Sequence, residues 1–227
     1  FILKGDINEI GYQSIGVPSA VRGLHDAITR YGTRGWSETI APAVALAREG
    51  YQVPRELAEE WRIKYSPGRP DALARFSATS AASAIYTKRG MPLADGDLLV
   101  NPDYADSLEL IAEEGPSVYY RGAIGARLIE DWGANGGLVT QEDIENYHPE
   151  IQEPVRGTYR GFTISDTPPP SGGITLIEVL NILEGYDLAS MAHNSSEYIH
   201  VLSQALKAGF ADRAKYLGDP AFTDVPV

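Results

Sequence analysis

An α+β fold dominated by helices is what this sequence predicts, and three observations predict it. Apolar residues recur at spacings of three and four along most of the first two thirds of the chain. Glycines, prolines and short polar residues interrupt those runs at lengths that suit helices. The β-branched runs that read as strands are few, the best being Pro154–Tyr159 and Gly161–Ser165.

Taken in order, the first helix starts at Pro18. Val21, Leu24, Ile28 and Tyr31 lie on one face, Pro18 or Ser19 suits its first turn, and Gly32 suits the position just past its end. WSETIAPAVALAREG predicts a second helix, capped at Ser37 and ended by Gly50. Pro42 should kink it or mark a restart, because proline lacks an N–H and its ring crowds the preceding turn. Pro54–Ile63 reads as a short helix, and Tyr65–Ser83 as turns with a helix around SATSAASAIY. DYADSLELIAEE has helical spacing through Leu108, Ile111 and Ala112 and closes at Gly115-Pro116. A helix over Ala123–Trp132 is expected to end at Gly133, with a turn at Gly136-Gly137. Thr140 and Asp143 have the spacing at which side chain and backbone satisfy each other at a helix start. A hairpin is expected to turn at Tyr159-Arg160-Gly161. ITLIEVLNILE and SSEYIHVLSQALKAGFADRAKYL complete the series. The second has Ile199, Leu202, Leu206 and Phe210 on one face, behind a cap at Asn194 or Ser195. With no repeat and no low-complexity linker, the chain reads as a single domain, helical over 1–150 and mixed over 151–227.

Composition excludes several classes of function. The 227 residues are 43% hydrophobic and 22% charged, which suits a compact globular chain. A net charge of -12, with no Lys/Arg cluster longer than two, repels phosphate backbones and acidic lipid, so nucleic acid and membrane surfaces are poor partners. No stretch reaches the roughly 18 to 20 apolar residues of a membrane span. The absence of cysteine removes disulfides, thiolate nucleophiles and sulfur-ligated metals, and fits either a reducing or an oxidising compartment. FILKGDINEIG has no export-signal pattern and no initiator Met, so Phe1 is expected to lie inside a longer gene product.

For chemistry within the chain, no Gly-x-Ser-x-Gly presents a serine nucleophile. His25, His148, His193 and His200 stand apart, without the i, i+4 pairing of a metal site. Asp95, Asp97, Asp103, Asp106 and Glu109 lack the alternation of a calcium loop and read as caps and a solvated acidic face. No metal, cofactor or catalytic residue is therefore expected here. Pro168-Pro169-Pro170-Ser171-Gly172-Gly173 is different. Three prolines hold the chain extended and supply no N–H, and two glycines then release it into a helix. Such a helix start offers N–H donors to an anion or carboxylate, with the Ser171 hydroxyl beside them. Ser171, Gly172 and Gly173 are accordingly the candidate substrate-binding residues; the bland alternative is a turn that only orients a buried helix.

The same turn opens a family resemblance. DTPPPSGGITLIEVLNILEGYDL and FADRAKYLGDPAFTDVPV resemble the large subunit of the γ-glutamyltranspeptidases, whose chains carry a proline-rich turn, a Gly-Gly, a helix ending in NILE and an ADR-x-x-YLGDP segment. IGVPSAVRGL, RYGT, APAVALAREGY, MPLADGDLLVNPDYADSLELIAEEG, YYRGAIG, GGLVTQEDIENY and YRGF precede them in the family's order. One departure is local: many members have Pro-Pro-Pro-Ser-Ser-Gly-Gly, one residue longer than the turn here.

The resemblance implies a helical large-subunit part of an N-terminal-nucleophile hydrolase with an αββα sandwich, to which this chain contributes edge strands. In such a family one precursor cuts itself, a threonine becomes the N-terminus of a small subunit, and that threonine attacks a γ-glutamyl amide such as glutathione. Its own α-amine, with a pKa of about 8, acts as base. None of those catalytic parts carries over. Thr33, Thr140, Thr167 and Thr223 are not in a Thr-Thr-His-type context, and no FRE-like arginine segment occurs. The expected partners are the small catalytic subunit of the same precursor and a small γ-glutamyl substrate, and the fragment alone is expected to be inactive. The expected location is periplasmic or extracellular. Related amidases, acylase-like, oxamate-amidohydrolase-like or poly-γ-glutamate depolymerases, share the fold, and a noncatalytic helical interaction module is the reading from a different class.

Overall fold

The computed structural model describes residues 4–5, 7–64 and 69–226. They fall into two compact units, Phe1–Pro149 and Glu150–Val227 by their bounds. Both are α+β, with helices carrying most of the chain and strands paired only in two-stranded antiparallel ribbons.

In the first unit, α1 (Ala20–Tyr31) forms where expected, but its apolar face is not a core face. Leu24 is 59% exposed and Tyr31 79%, and no residue of α1 is fully buried. Periodicity identifies the apolar face of a helix and says nothing of what covers it. Contact runs through Val21 and Arg22 instead: the Arg22 N–H donates to the Tyr120 hydroxyl at 3.2 Å, and the guanidinium lies 4.2 Å from the centre of the Tyr120 ring.

α2 (Trp36–Glu49) runs through Pro42 without a restart, and Gly35, not Ser37, is its N-cap. The reason is tertiary, because α6 (Pro102–Glu114) holds α2 on both sides of the proline. Before it, Trp36 Nε1 donates to the Ile111 carbonyl at 2.9 Å and the Ser37 hydroxyl to that of Ala112. After it, Arg48 Nη2 reaches Asp106 and Glu109, each at 2.8 Å. Those two acids therefore clasp a neighbouring helix, while Asn101 caps α6 and Pro102 takes its first position.

Between these helices the chain is more broken than its periodicity suggests. α3 (Arg55–Glu60) is the expected short helix. The helix expected around SATSAASAIY is confined to α5 (Ser80–Tyr86), and α4 (Ala72–Phe76) precedes it. Asp71 and Thr79 cap the two separately, accepting from the Ala74 and Ala82 N–H groups. The turns expected at 65–68 lie outside the described residues. β1 (Tyr51–Gln52) pairs with β4 (Leu98–Leu99), and β2 (Thr87–Lys88) with β3 (Met91–Pro92). Two-residue strands have no period to detect. Val53, Ala58, Leu93 and Leu99 form the core beneath them.

A second core of Tyr120, Trp132 and Ile144 joins α7 (Pro116–Tyr120), α8 (Ala123–Ala134) and α9 (Gln141–Asn146). α7 was not expected, and α8 runs past Gly133 to a cap at Asn135. α9 starts in the expected reciprocal cap: the Thr140 N–H donates to Asp143 Oδ2 at 2.8 Å, and the Asp143 N–H to Thr140 Oγ1 at 3.3 Å.

The second unit is simpler. β5 (Val155–Tyr159) and β6 (Phe162–Asp166) pair from Val155↔Asp166 to Tyr159↔Phe162. Arg160 and Gly161 turn the hairpin with φ of 49° and 83°, the two left-handed positions of a type I′ turn. The Arg160 side chain is tied down by its bond to the Tyr186 carbonyl at 3.0 Å. α10 (Gly173–Glu184) packs on this ribbon, and α11 (Ser196–Tyr216) packs on α10 around Val179, Leu183 and Ala205. Burying Val179 and Leu183 contributes about 1.5–3 kcal/mol each. Ser195, one of the two expected caps, accepts from the Tyr198 N–H at 3.2 Å.

The contact face of α11 differs from the expected one. Ala205 and Gly209 are buried, whereas Ile199, Leu206 and Phe210 are exposed; of the four expected residues Leu202 alone packs against the core, joined there by Val201. A Cβ on Gly209 would lie 2.7 Å from Val179 Cγ2, so small residues set a close helix crossing and turn the large apolar ones outward. Among the described residues, no helix is long and apolar enough to cross a membrane.

Candidate functional site

The Pro168–Gly173 turn leaves β6 and enters α10. Asp166 Oδ1 accepts from the Thr167 N–H at 2.6 Å and from its hydroxyl at 3.1 Å. The Thr167 hydroxyl also lies 2.8 Å from Ser171 Oγ, and the Ser171 N–H donates to the Pro168 carbonyl at 3.0 Å. The Pro169-Pro170 peptide is cis. Leu176 then donates to the Gly172 carbonyl at 3.0 Å, which begins the helical ladder.

The structure brings the three sequence-predicted residues together but gives them different surroundings. Ser171 is exposed. Gly172 is half-buried, and Arg213 Nη1 lies 3.1 Å from where its Cβ would be. Gly173 is buried, and a Cβ there would meet the Thr167 carbonyl oxygen at 2.4 Å and Asp166 Cβ at 2.9 Å. Packing alone therefore demands glycine at 173. Ser171 and Gly172 face outward, and Arg213 adds a positive charge beside them.

Two clefts meet the turn, and a third shares Arg213 with one of them. Pro168 and Pro169 wall one of about 480 Å³ with Thr223 and Asp224. Pro170 walls one of about 300 Å³ with Phe210 and Arg213. The third, about 180 Å³, lies between α10 and α11 and is lined by Thr175, Glu178, Asp212, Arg213 and Tyr216. There the Glu178 carboxyl is held above its ordinary pKa, first by burial and then by its hydrogen bond with Asp212.

Arg213 and the Glu178–Asp212 pair escaped the sequence reading. The available signal was Gly209: a glycine inside a long helix marks a close crossing, and Asp212 follows three residues later on the same stripe.

Several of the other chemistry-bearing residues take part in local structure. Thr140 caps α9, Thr167 braces Ser171, and the Thr223 N–H donates to the Asp219 carbonyl at 3.0 Å. The His25 ring lies edge-on to Trp36 at 5.0 Å. His193 lies 6.4 Å from Tyr198. Among the described residues, no group of three or more His, Asp or Glu side chains converges as a metal site. Asp97 accepts from Lys88 Nζ and the Ala94 N–H, which hold its carboxyl below the usual range.

Comparison with known proteins is consistent along the chain. A family model described as gamma-glutamyltranspeptidase matches residues 3–227. The Acylase ACY 1 proenzyme of a Pseudomonas species is 42% identical over 221 residues, which are 97% of this chain and 38% of that protein. The Glutathione hydrolase proenzyme of Escherichia coli is 38% identical over 212 residues, 93% of this chain and 35% of that protein. The crystal structure of Helicobacter pylori gamma-glutamyltranspeptidase superposes with a TM-score of 0.89 at 33% identity, covering 100% of this chain and 64% of that one. The chain thus spans 35 to 38% of the length of these two curated relatives.

Proposed function

Because this chain belongs to the γ-glutamyltranspeptidase family, we propose that it is the large-subunit part of an amidase that hydrolyses or transfers γ-glutamyl groups through a threonine outside residues 1–227. The observation that carries this reading is the structural likeness to the Helicobacter pylori enzyme over the whole chain. In the proposed reaction, the α-amine of an N-terminal threonine takes the proton of its own hydroxyl, and the oxygen attacks the γ-glutamyl carbonyl. The tetrahedral intermediate collapses, the C–N bond breaks, and the amine leaves with the proton. Water or an acceptor amine then takes the acyl group from the threonine ester. The partner is the small catalytic subunit cut from the same precursor, and the complete protein is exported to the periplasm or beyond.

Within this chain, the outward face of the Pro168–Gly173 turn is proposed to steady a substrate carboxylate. Ser171 supplies a hydroxyl and Gly172 the start of a helix, with the Arg213 guanidinium nearby. Gly173 serves by letting the turn close.

Expression of the full native gene tests the reading. Intact mass and N-terminal sequencing should find a precursor cut in two, with threonine opening the smaller product, and the processed enzyme should release p-nitroaniline from γ-glutamyl-p-nitroanilide. An uncut, inactive product would favour a binding or structural module instead. A second reading, an acylase acting on another amide, is favoured by the greater identity to the acylase proenzyme than to the glutathione hydrolase. Turnover of a cephalosporin side-chain amide, with glutathione left intact, would select it.

A further inference from the structure

The hairpin that joins β2 to β3 turns at Arg89 and Gly90, with φ of 54° and 75°. A turn of this kind needs both residues left-handed, and asparagine, aspartate or glycine takes the first position with least strain. Arginine stands there instead. The hairpin of the second unit is the internal comparison: Arg160 holds the same left-handed first position, but its side chain is bonded to the Tyr186 carbonyl. The Arg89 side chain has no hydrogen bond or ion pair among the described residues and acts on Asp97 by charge alone. No bond within the fold therefore offsets the strain of a left-handed arginine.

Arg89 lines a cleft of about 390 Å³ with Arg62, Lys88 and Asp97, and Met91 and Pro92 add apolar wall. The backbone around it is fixed to the core. The Leu93 N–H donates to the Tyr86 carbonyl at 3.0 Å and the Val53 N–H to the Asp97 carbonyl at 2.8 Å, and Val53 and Leu93 are both buried. The Asp97 carboxylate is already engaged by Lys88 Nζ and the Ala94 N–H. Arg62 is exposed, and its guanidinium, like that of Arg89, has no bonded partner among the described residues. Three cations against one carboxylate leave the cleft with two positive charges, on a chain whose net charge is -12. Such a reversal of sign draws anions to one place on a surface that otherwise repels them.

We infer that this cleft binds a small organic dianion, a dicarboxylate whose two carboxylates meet Arg62 and Arg89 while its carbon chain lies against Met91 and Pro92. Guanidinium groups suit the task because each presents paired N–H donors to a carboxylate. The volume is that of a small-molecule site. Inorganic phosphate shares the charge but has no carbon chain to place on the apolar wall. The bound anion gives Arg89 the partner that Arg160 finds within the fold.

The test is calorimetric titration of the full-length native protein with succinate, at ionic strengths of about 0.01 M and about 0.15 M. Succinate should bind, and more weakly in the higher salt. Inorganic phosphate should bind less well than succinate, and succinamide, which keeps the carbon chain without the charge, should not bind. Arg89→Gly should weaken succinate binding by about tenfold or more, the cost of a lost bond to a charged group. It should do so without lowering the melting midpoint, since glycine takes the left-handed position freely. Arg62→Ala should weaken binding as much at an unchanged midpoint. Arg34→Ala, which removes a guanidinium that faces Glu38 instead, should leave binding unchanged. Absence of succinate binding, binding untouched by both cleft substitutions, or an equal loss in Arg34→Ala would overturn the site, and phosphate binding tighter than succinate would overturn its assignment to a dicarboxylate.

Discussion

Gly173 shows how a residue chosen for its possible chemistry can be fixed by space alone. Its missing Cβ lets the Thr167 carbonyl approach, and that atom belongs to backbone that a rotamer change cannot move. Gly173→Ala should therefore cost about 1–3 kcal/mol, read as a lower urea midpoint. Ser171 is the opposite case, being exposed and tied only to its own turn. Ser171→Ala should leave the midpoint unchanged and raise KM for a γ-glutamyl substrate by about tenfold, the cost of a lost bond to a charged group. Unchanged KM would assign the turn to architecture. Asp143 titrates in the other direction from Glu178. The Thr140 N–H and hydroxyl lower its pKa, so its contribution is present above the ordinary aspartate value of about 3.9 and lost as pH falls through the folded value. Thr140→Ala should lower the melting temperature at neutral pH and reduce its further loss in acid, as circular dichroism would report.

At the scale of elements, the helices were legible wherever capping and period agreed. Thr140-x-x-Asp143, Ser195 and the Arg160-Gly161 turn all lie where their local chemistry placed them. Ser195→Ala should destabilise the long helix it opens by about 1 kcal/mol. What was not legible was set by partners distant in sequence. Pro42 sits inside a continuous helix because α6 grips that helix before and after it. The two-residue ribbons exist because loops fold back on Val53 and Leu93. The candidate site divides similarly: Ser171-Gly172-Gly173 stood out by composition, whereas Arg213 reaches Gly172 only through the crossing of two helices. Helical periodicity named the apolar face of α11 as Ile199, Leu202, Leu206 and Phe210, yet of these only Leu202 packs on the core and the seam runs through Ala205 and Gly209. A pattern weighted by hydrophobicity overlooks a contact made by lack of bulk.

For the molecule as a whole, apolar side chains lie open in both units, Leu24 and Tyr31 in one, Ile199 and Phe210 in the other. Exposed surface of this kind marks interaction sites or an association hazard. The 227-residue chain expressed alone should self-associate in light scattering and release no p-nitroaniline from γ-glutamyl-p-nitroanilide, whereas co-expression with the remainder of its gene should restore release. Turnover by the chain alone would place the nucleophile within it. The seam between α10 and α11 also bears on descent. Position 209 can gain a methyl only if position 179 gives one up, because the two would compete for the same 2.7 Å. Val179→Ala should accordingly rescue part of the stability lost in Gly209→Ala, with a double-mutant coupling of about 0.5–3 kcal/mol. Lineages of this protein should then have exchanged bulk across the seam as a compensated pair, and a change at either position alone would meet purifying selection.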